Sequence, residues 1–70
     1  MGSDEKNKLR ALLNYWVEHN REHSREFKEW VEKARALGEV EIAEDVLRAA
    51  QEMDKASGLL SQSLKRLEEA

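Results

Sequence analysis

Three side chains in one stretch of this sequence have the types and spacing of metal ligands. In WVEHNREHSREF, residues 16–27, His19, His23 and Glu26 follow an H-x3-H-x2-E spacing. On a helix, intervals of three and four bring side chains to neighbouring positions. Two imidazoles at i and i+4 can share one ion, with Glu26 or Asp54 as a carboxylate ligand and a partner chain filling the shell. That donor set suits Zn²⁺, Ni²⁺, Co²⁺ or Fe²⁺, whereas Ca²⁺ and Mg²⁺ take all-oxygen shells. The pattern is weakly diagnostic. It lacks the H-E-x-x-H placement of zinc proteases, and Trp16 and Asn20 stand where the paired E-x-x-H motifs of di-iron bundles need glutamates.

A second chemistry uses overlapping residues. Asn20, His23, Asp54 and Ser57 can form a buried hydrogen-bonded layer, His23 bonding Asp54 and Asn20 bonding Ser57. A polar residue at one core position of a coiled coil fixes register and oligomer state at some cost in stability. This polar layer is the preferred reading and the metal site its alternative. Catalysis is not expected: His23 and Asp54 could pair as base and orienter, but Ser57 and Ser61 lie on a helix and no glycine loop cradles a phosphate.

The elements that must position these groups are helices. Ala, Glu, Lys, Leu and Arg make up more than half of the chain and proline is absent, a composition typical of long helices or coiled coils. Ser3 and Asp4 offer an N-cap, and apolar residues then recur at helical spacing through Leu9, Leu12, Leu13, Trp16, Phe27, Trp30, Ala34 and Leu37. Gly38 follows as a left-handed C-cap would. Beyond it a heptad runs through Ala43, Ala50, Ser57 and Leu64 and through Val46, Met53, Leu60 and Leu67. The spacing predicts helices over residues 4–37 and 40–68, a turn at 38–39, and one domain over 1–70. Gly58 is the discord: an interior glycine costs up to ~1 kcal/mol against alanine. The heptad passes through it in phase, so one continuous helix is expected, with a three-helix bundle broken near Ser57–Gly58 as the alternative.

A turn at Gly38 makes antiparallel partners sum to about 76 in residue number, since a tight hairpin pairs residues equidistant from its turn. Trp30 then faces Val46, Phe27 faces Ala50, Trp16 faces Leu60 and Leu9 faces Leu67, while His23 meets Met53 and Asp54. The series Leu9, Trp16, His23, Trp30, Leu37 reads as the seam, with bulky Trp16, Phe27 and Trp30 packing over small Ala43, Ala50 and Ser57. Leu13, Val17, Val31, Ile42, Ala49 and Ala56 widen the apolar stripes beyond a two-helix seam. The expected architecture is therefore an all-α antiparallel hairpin that dimerises into a four-helix bundle, with Trp16, Phe27, Trp30, Val46, Ala50, Leu60 and Leu64 in the packed interior.

The residues Trp16, His19, Asn20, His23, Phe27 and Trp30 resemble the W-x-x-H-N-x-x-H-x-x-x-F-x-x-W pattern of a small prokaryotic helical-hairpin family of uncharacterised function. The similarity covers the first helix and, more loosely, the A-x-x-M-D-K-A segment from Ala50 to Ala56. The resemblance implies a link to nickel or cobalt handling, with His19 and His23 as the residues concerned. It implies no reaction.

Bulk properties remove other classes. The net charge is −3 with the two signs interleaved, which leaves no footprint for nucleic acid. No apolar run approaches the ~18 residues of a membrane span. The chain has no cysteine, so it carries no disulfide and suits a reducing, cytoplasmic setting; its Glu and Lys content also fits a thermophile. Domains below roughly 70–80 residues seldom draw enough stability from one core, which without disulfides leaves a metal, a partner chain or very good helix packing. The sequence thus describes a non-enzymatic homodimeric module, or one that docks another protein partner, with a Zn, Ni or Co module as the alternative.

Overall fold

The computed structural model describes residues 2–69. Among them are two helices, α1 (Gly2–Ala36) and α2 (Val40–Glu69), folded back on each other as an antiparallel hairpin 55 Å long. The boundaries fall within two residues of those read from the spacing. Asp4 and Glu5 lie in the first turn of α1, where their charge suits the positive end of the helix dipole, and Ser3 and Asp4 are helical rather than capping.

Gly38 makes the turn. Its φ of 83° is the only positive value among the described residues, and its N–H donates to the Arg35 carbonyl at 2.9 Å while the Glu39 N–H reaches the Ala34 carbonyl at 2.9 Å. These are the two bonds of a Schellman cap. The Glu39 carbonyl then accepts the first bond of α2, from Ala43 N–H at 2.9 Å. Gly58 has no such role: α2 runs through it unbroken, so the three-helix alternative is not the fold. A Cβ would meet nothing within 4 Å at either glycine, and backbone conformation alone decides the outcome. Gly38→Ala should destabilise by about 1–2 kcal/mol, the cost of a left-handed non-glycine residue. Gly58→Ala should stabilise by up to ~1 kcal/mol. Opposite shifts in the urea midpoint check both.

The core differs from the expected seam. Buried between the helices are Leu13, Val17, Ser24, Val31 and Ala34 of α1 against Ala43, Ala50 and Ser57 of α2. On α1 the contact therefore follows Leu13, Val17, Asn20, Ser24, Phe27, Val31 and Ala34, spaced three and four apart, of which Asn20 and Phe27 are half-buried. The α2 heptad is as read: Val46, Met53, Leu60, Leu64 and Leu67 lie half-buried along it. The expected packing of Trp16 and Trp30 over Ala43, Ala50 and Ser57 is not formed. Trp16 keeps 40% of its surface exposed and Trp30 52%. The reason is size. Small and β-branched side chains let two helix axes approach closely, toward the short end of the 8–10 Å range, and indoles in that seam would hold them apart.

Candidate functional site

Because α1 and α2 run antiparallel, the hairpin has two long edges of opposite character. One carries Arg21, Lys28 and Arg35 of α1 beside Asp54 and Ser61 of α2, with the half-buried Leu47 of the same series packed on the core near the turn. The other carries Leu9, Trp16, His23, Trp30 and Leu37 beside Ile42, Ala49 and Ala56. Each set repeats every seven residues. The polar edge is closed by a clamp: Lys28 Nζ lies 2.8 Å from Asp54 Oδ2 and Ser24 Oγ donates to Asp54 Oδ1 at 2.6 Å. A hydroxyl has one proton, so the 3.4 Å approach of Ser24 Oγ to the Ala50 carbonyl is proximity and not a second bond.

Asp54 thus takes Ser24 and Lys28 where His23 was expected. The expected height is right, but His23 leaves α1 on the opposite edge. Asn20 likewise makes no hydrogen bond to Ser57, whose buried Oγ has no hydrogen-bond partner. Of the four side chains of the expected polar layer, none bonds another.

The clamp has a pH signature. Hydrogen bonds from Lys28 and then Ser24, with the Lys28 charge, hold the Asp54 carboxyl below its ordinary 3.8, against a smaller opposing effect of burial. A group that binds protons less readily folded than unfolded stabilises the fold above its unfolded pKa, and that contribution disappears as pH falls through the folded value. The Lys28 and Asp54 side chains are about half exposed, so solvent screens the effect. Asp54→Asn should flatten the loss of stability below about pH 4, measured as urea midpoints across an acid series.

On the apolar edge, four rings climb one i±4 ridge of α1. Tyr15 stacks on His19 with centroids 5.4 Å apart, His19 meets His23 edge-on at 4.4 Å, and His23 leans on Phe27 at 6.2 Å. The two imidazoles face each other through one nitrogen each, Nε2 to Nε2 at 3.0 Å. One ring must donate and the other accept, so the two carry different tautomers, or one is neutral and the other cationic. Glu26 lines a neighbouring open hollow with Phe27, Trp30, Val46 and Ala49, a volume of about 250 Å³ with almost wholly apolar walls. Lys33 Nζ covers the Trp30 ring at 4.3 Å. Among the described residues no three His, Cys, Asp or Glu side chains gather closely enough to hold a metal. His19 and His23 converge; Glu26 and Asp54 do not join them.

What these features define is an antiparallel two-helix coiled coil sealed by polar side chains along one edge and lined with apolar and imidazole side chains along the other. The chain belongs to the family described as Domain of unknown function (DUF8180), whose sequence profile matches residues 9–67. That span takes in both helices and the turn. No curated protein and no solved structure matches the chain. No helix among the described residues is long and apolar enough to cross a membrane.

Proposed function

We propose that this protein is a self-association module: two hairpins pack through their apolar edges into a homodimeric four-helix bundle that acts as a scaffold and not as an enzyme. The observation that carries this reading is the second seam of α1. Leu9, Leu12, Trp16, His19, His23, Glu26, Trp30, Lys33 and Leu37 repeat at alternating intervals of three and four, as a helix facing a partner does. Leu9, Leu12, Trp16 and Trp30 on it are 40–52% exposed.

Area supports the same reading. A compact monomer of 8.1 kDa has ~4,500 Å² of accessible surface on the usual size scaling, and the hairpin exposes 5460 Å². The excess of about 1,000 Å² is close to the ~800 Å² that each partner buries in a standard interface. The hollow beside Trp30, at about 250 Å³, is smaller than the ~300–1,000 Å³ of small-molecule sites and suits a single large side chain. Within the bundle the polar positions of this seam, His19, His23, Glu26 and Lys33, set its register.

Light scattering coupled to gel filtration tests the reading. The expected mass is twice 8.1 kDa at micromolar concentration, with a melting temperature that rises with protein concentration. A mass of one chain with concentration-independent, cooperative melting would overturn it.

A further inference from the structure

We infer that the His19–His23 pair is half of a transition-metal site that a second copy of this chain completes, one divalent first-row ion being held by four imidazoles at the dimer's twofold axis. The inference rests on the self-association proposed above.

The first argument is the bite. Two nitrogens ligating one ion at ~2.0–2.1 Å stand ~2.9–3.4 Å apart for N–metal–N angles between 90° and 110°. His19 Nε2 and His23 Nε2 stand 3.0 Å apart. The pair is already at chelating distance, and an ion would take the place between the rings once the donor ring carries its one proton on Nδ1, so that both imidazoles ligate as neutral Nε2 donors. The i,i+4 ridge holds it there, because Tyr15 stacks on one imidazole and Phe27 leans on the other. One chain stops at two donors, since no third ligand gathers with them, and a structural Zn²⁺ site takes four.

The second argument concerns where the partner's ligands fall. The apolar hollow formed by Glu26, Phe27, Trp30, Val46 and Ala49 is level with residues 26–30 of α1. Among the exposed aromatics on the same seam, Trp16 is the one that a twofold axis across the middle of the hairpin would carry into it. Seating the second copy's Trp16 there puts the axis near residue 22, midway between 16 and 28. Full antiparallel overlap of two α1 helices spanning Gly2–Ala36 puts the axis near residue 19. The two placements agree within one helical turn, and both set the His19–His23 pairs of the two copies side by side. Four neutral imidazoles around a point suit Zn²⁺ or Co²⁺ in tetrahedral coordination, and exclude Ca²⁺ and Mg²⁺, which require oxygen.

The experiment titrates Co²⁺ into tag-free protein previously stripped with chelator, following visible absorption and, at each step, mass by light scattering. The expected result is one Co²⁺ per two chains with the strong absorption of tetrahedral cobalt, and competition by Zn²⁺. His19→Ala/His23→Ala should abolish the absorption, while its mass stays at two chains and its helicity is unchanged. A dimer that takes up no Co²⁺, takes up one per chain, or binds equally without the two histidines overturns the site and leaves the self-association reading standing. A chain that remains a monomer with and without Co²⁺ overturns both.

Discussion

Replacing Trp16 with glutamate is expected to leave the hairpin folded and to separate the proposed dimer. Trp16 lies outside the intramolecular core, with 40% of its surface exposed, while the residues that seal α1 to α2 are Leu13, Val17, Ser24, Val31 and Ala34. A carboxylate at position 16 therefore meets water in the single hairpin. In the bundle it would sit where an indole fills the partner's hollow, twice over by symmetry. A buried tryptophan anchor is commonly worth 2 kcal/mol or more at an interface. Two of them make about 4 kcal/mol, or nearly a thousandfold in dissociation constant. Analytical ultracentrifugation over a concentration series should show a dimer turned into a monomer with near-native helicity. A Trp16→Glu protein that sediments exactly as the parent does would place the indole away from any interface.

The contrast between the two edges explains what the sequence could and could not reveal. The turn was legible because Gly38 is the only residue type that takes a φ of 83° without penalty, and the interval from it set the pairing height correctly: Ser24 does meet Asp54. The α2 seam is legible because the series Ala43, Ala50, Ser57, Leu64 runs beside Val46, Met53, Leu60 and Leu67 to the end of the helix, while the rival series Ile42, Ala49, Ala56 gives way to Ser63. On α1 two seven-residue series compete. The series through Trp16 and Trp30 is the more hydrophobic and so reads as the inner one, yet the series through Val17, Ser24 and Val31 is inner because it is small. Apolar strength ranks burial poorly when helices must close on alanine and serine. With the smaller series inside, Lys28 and Asp54 fall on one edge of the antiparallel pair and His23 on the other. The spacing of His19 and His23 puts them on one ridge of the helix, and their Nε2 atoms lie 3.0 Å apart. No sequence signal fixed which way their nitrogens point.

The same division of labour organises the rest of the molecule. Hydrogen bonds and the ion pair between the helices lie on the polar edge, at Ser24, Lys28 and Asp54. The apolar edge carries rings and no ion pair between the helices among the described residues. A single two-helix core made of alanine, valine, serine and one leucine is small, and domains of this size seldom draw more than ~3–5 kcal/mol from such a core. Association through the apolar edge would then supply stability that the hairpin lacks, which is why folding and assembly should be separable only by substitutions that touch one edge at a time.

Two adjacent alanines provide that separation. Ala50 is wholly covered, at 0% exposure, against α1, and its carbonyl lies 3.4 Å from Ser24 Oγ, so there is no room for a larger side chain between the helices. Ala50→Leu should force them apart, stretching the 2.6 Å Ser24–Asp54 bond and the 2.8 Å Lys28–Asp54 pair. Overpacking of this kind typically costs about 1–3 kcal/mol, a large share of what so small a domain has. The expected result is a sharp fall in urea midpoint with an unchanged slope, since the surface exposed on unfolding hardly differs. Ala49, one residue away, is exposed and lines the hollow beside Trp30. Ala49→Leu should leave the hairpin's helicity intact and fill the hollow, weakening association and making the melting temperature less dependent on concentration. If both variants lost fold and assembly together, the two edges would not be energetically distinct. A fall in stability from Ala50→Leu beside a fall in affinity from Ala49→Leu would show that one turn of α2 serves two interfaces.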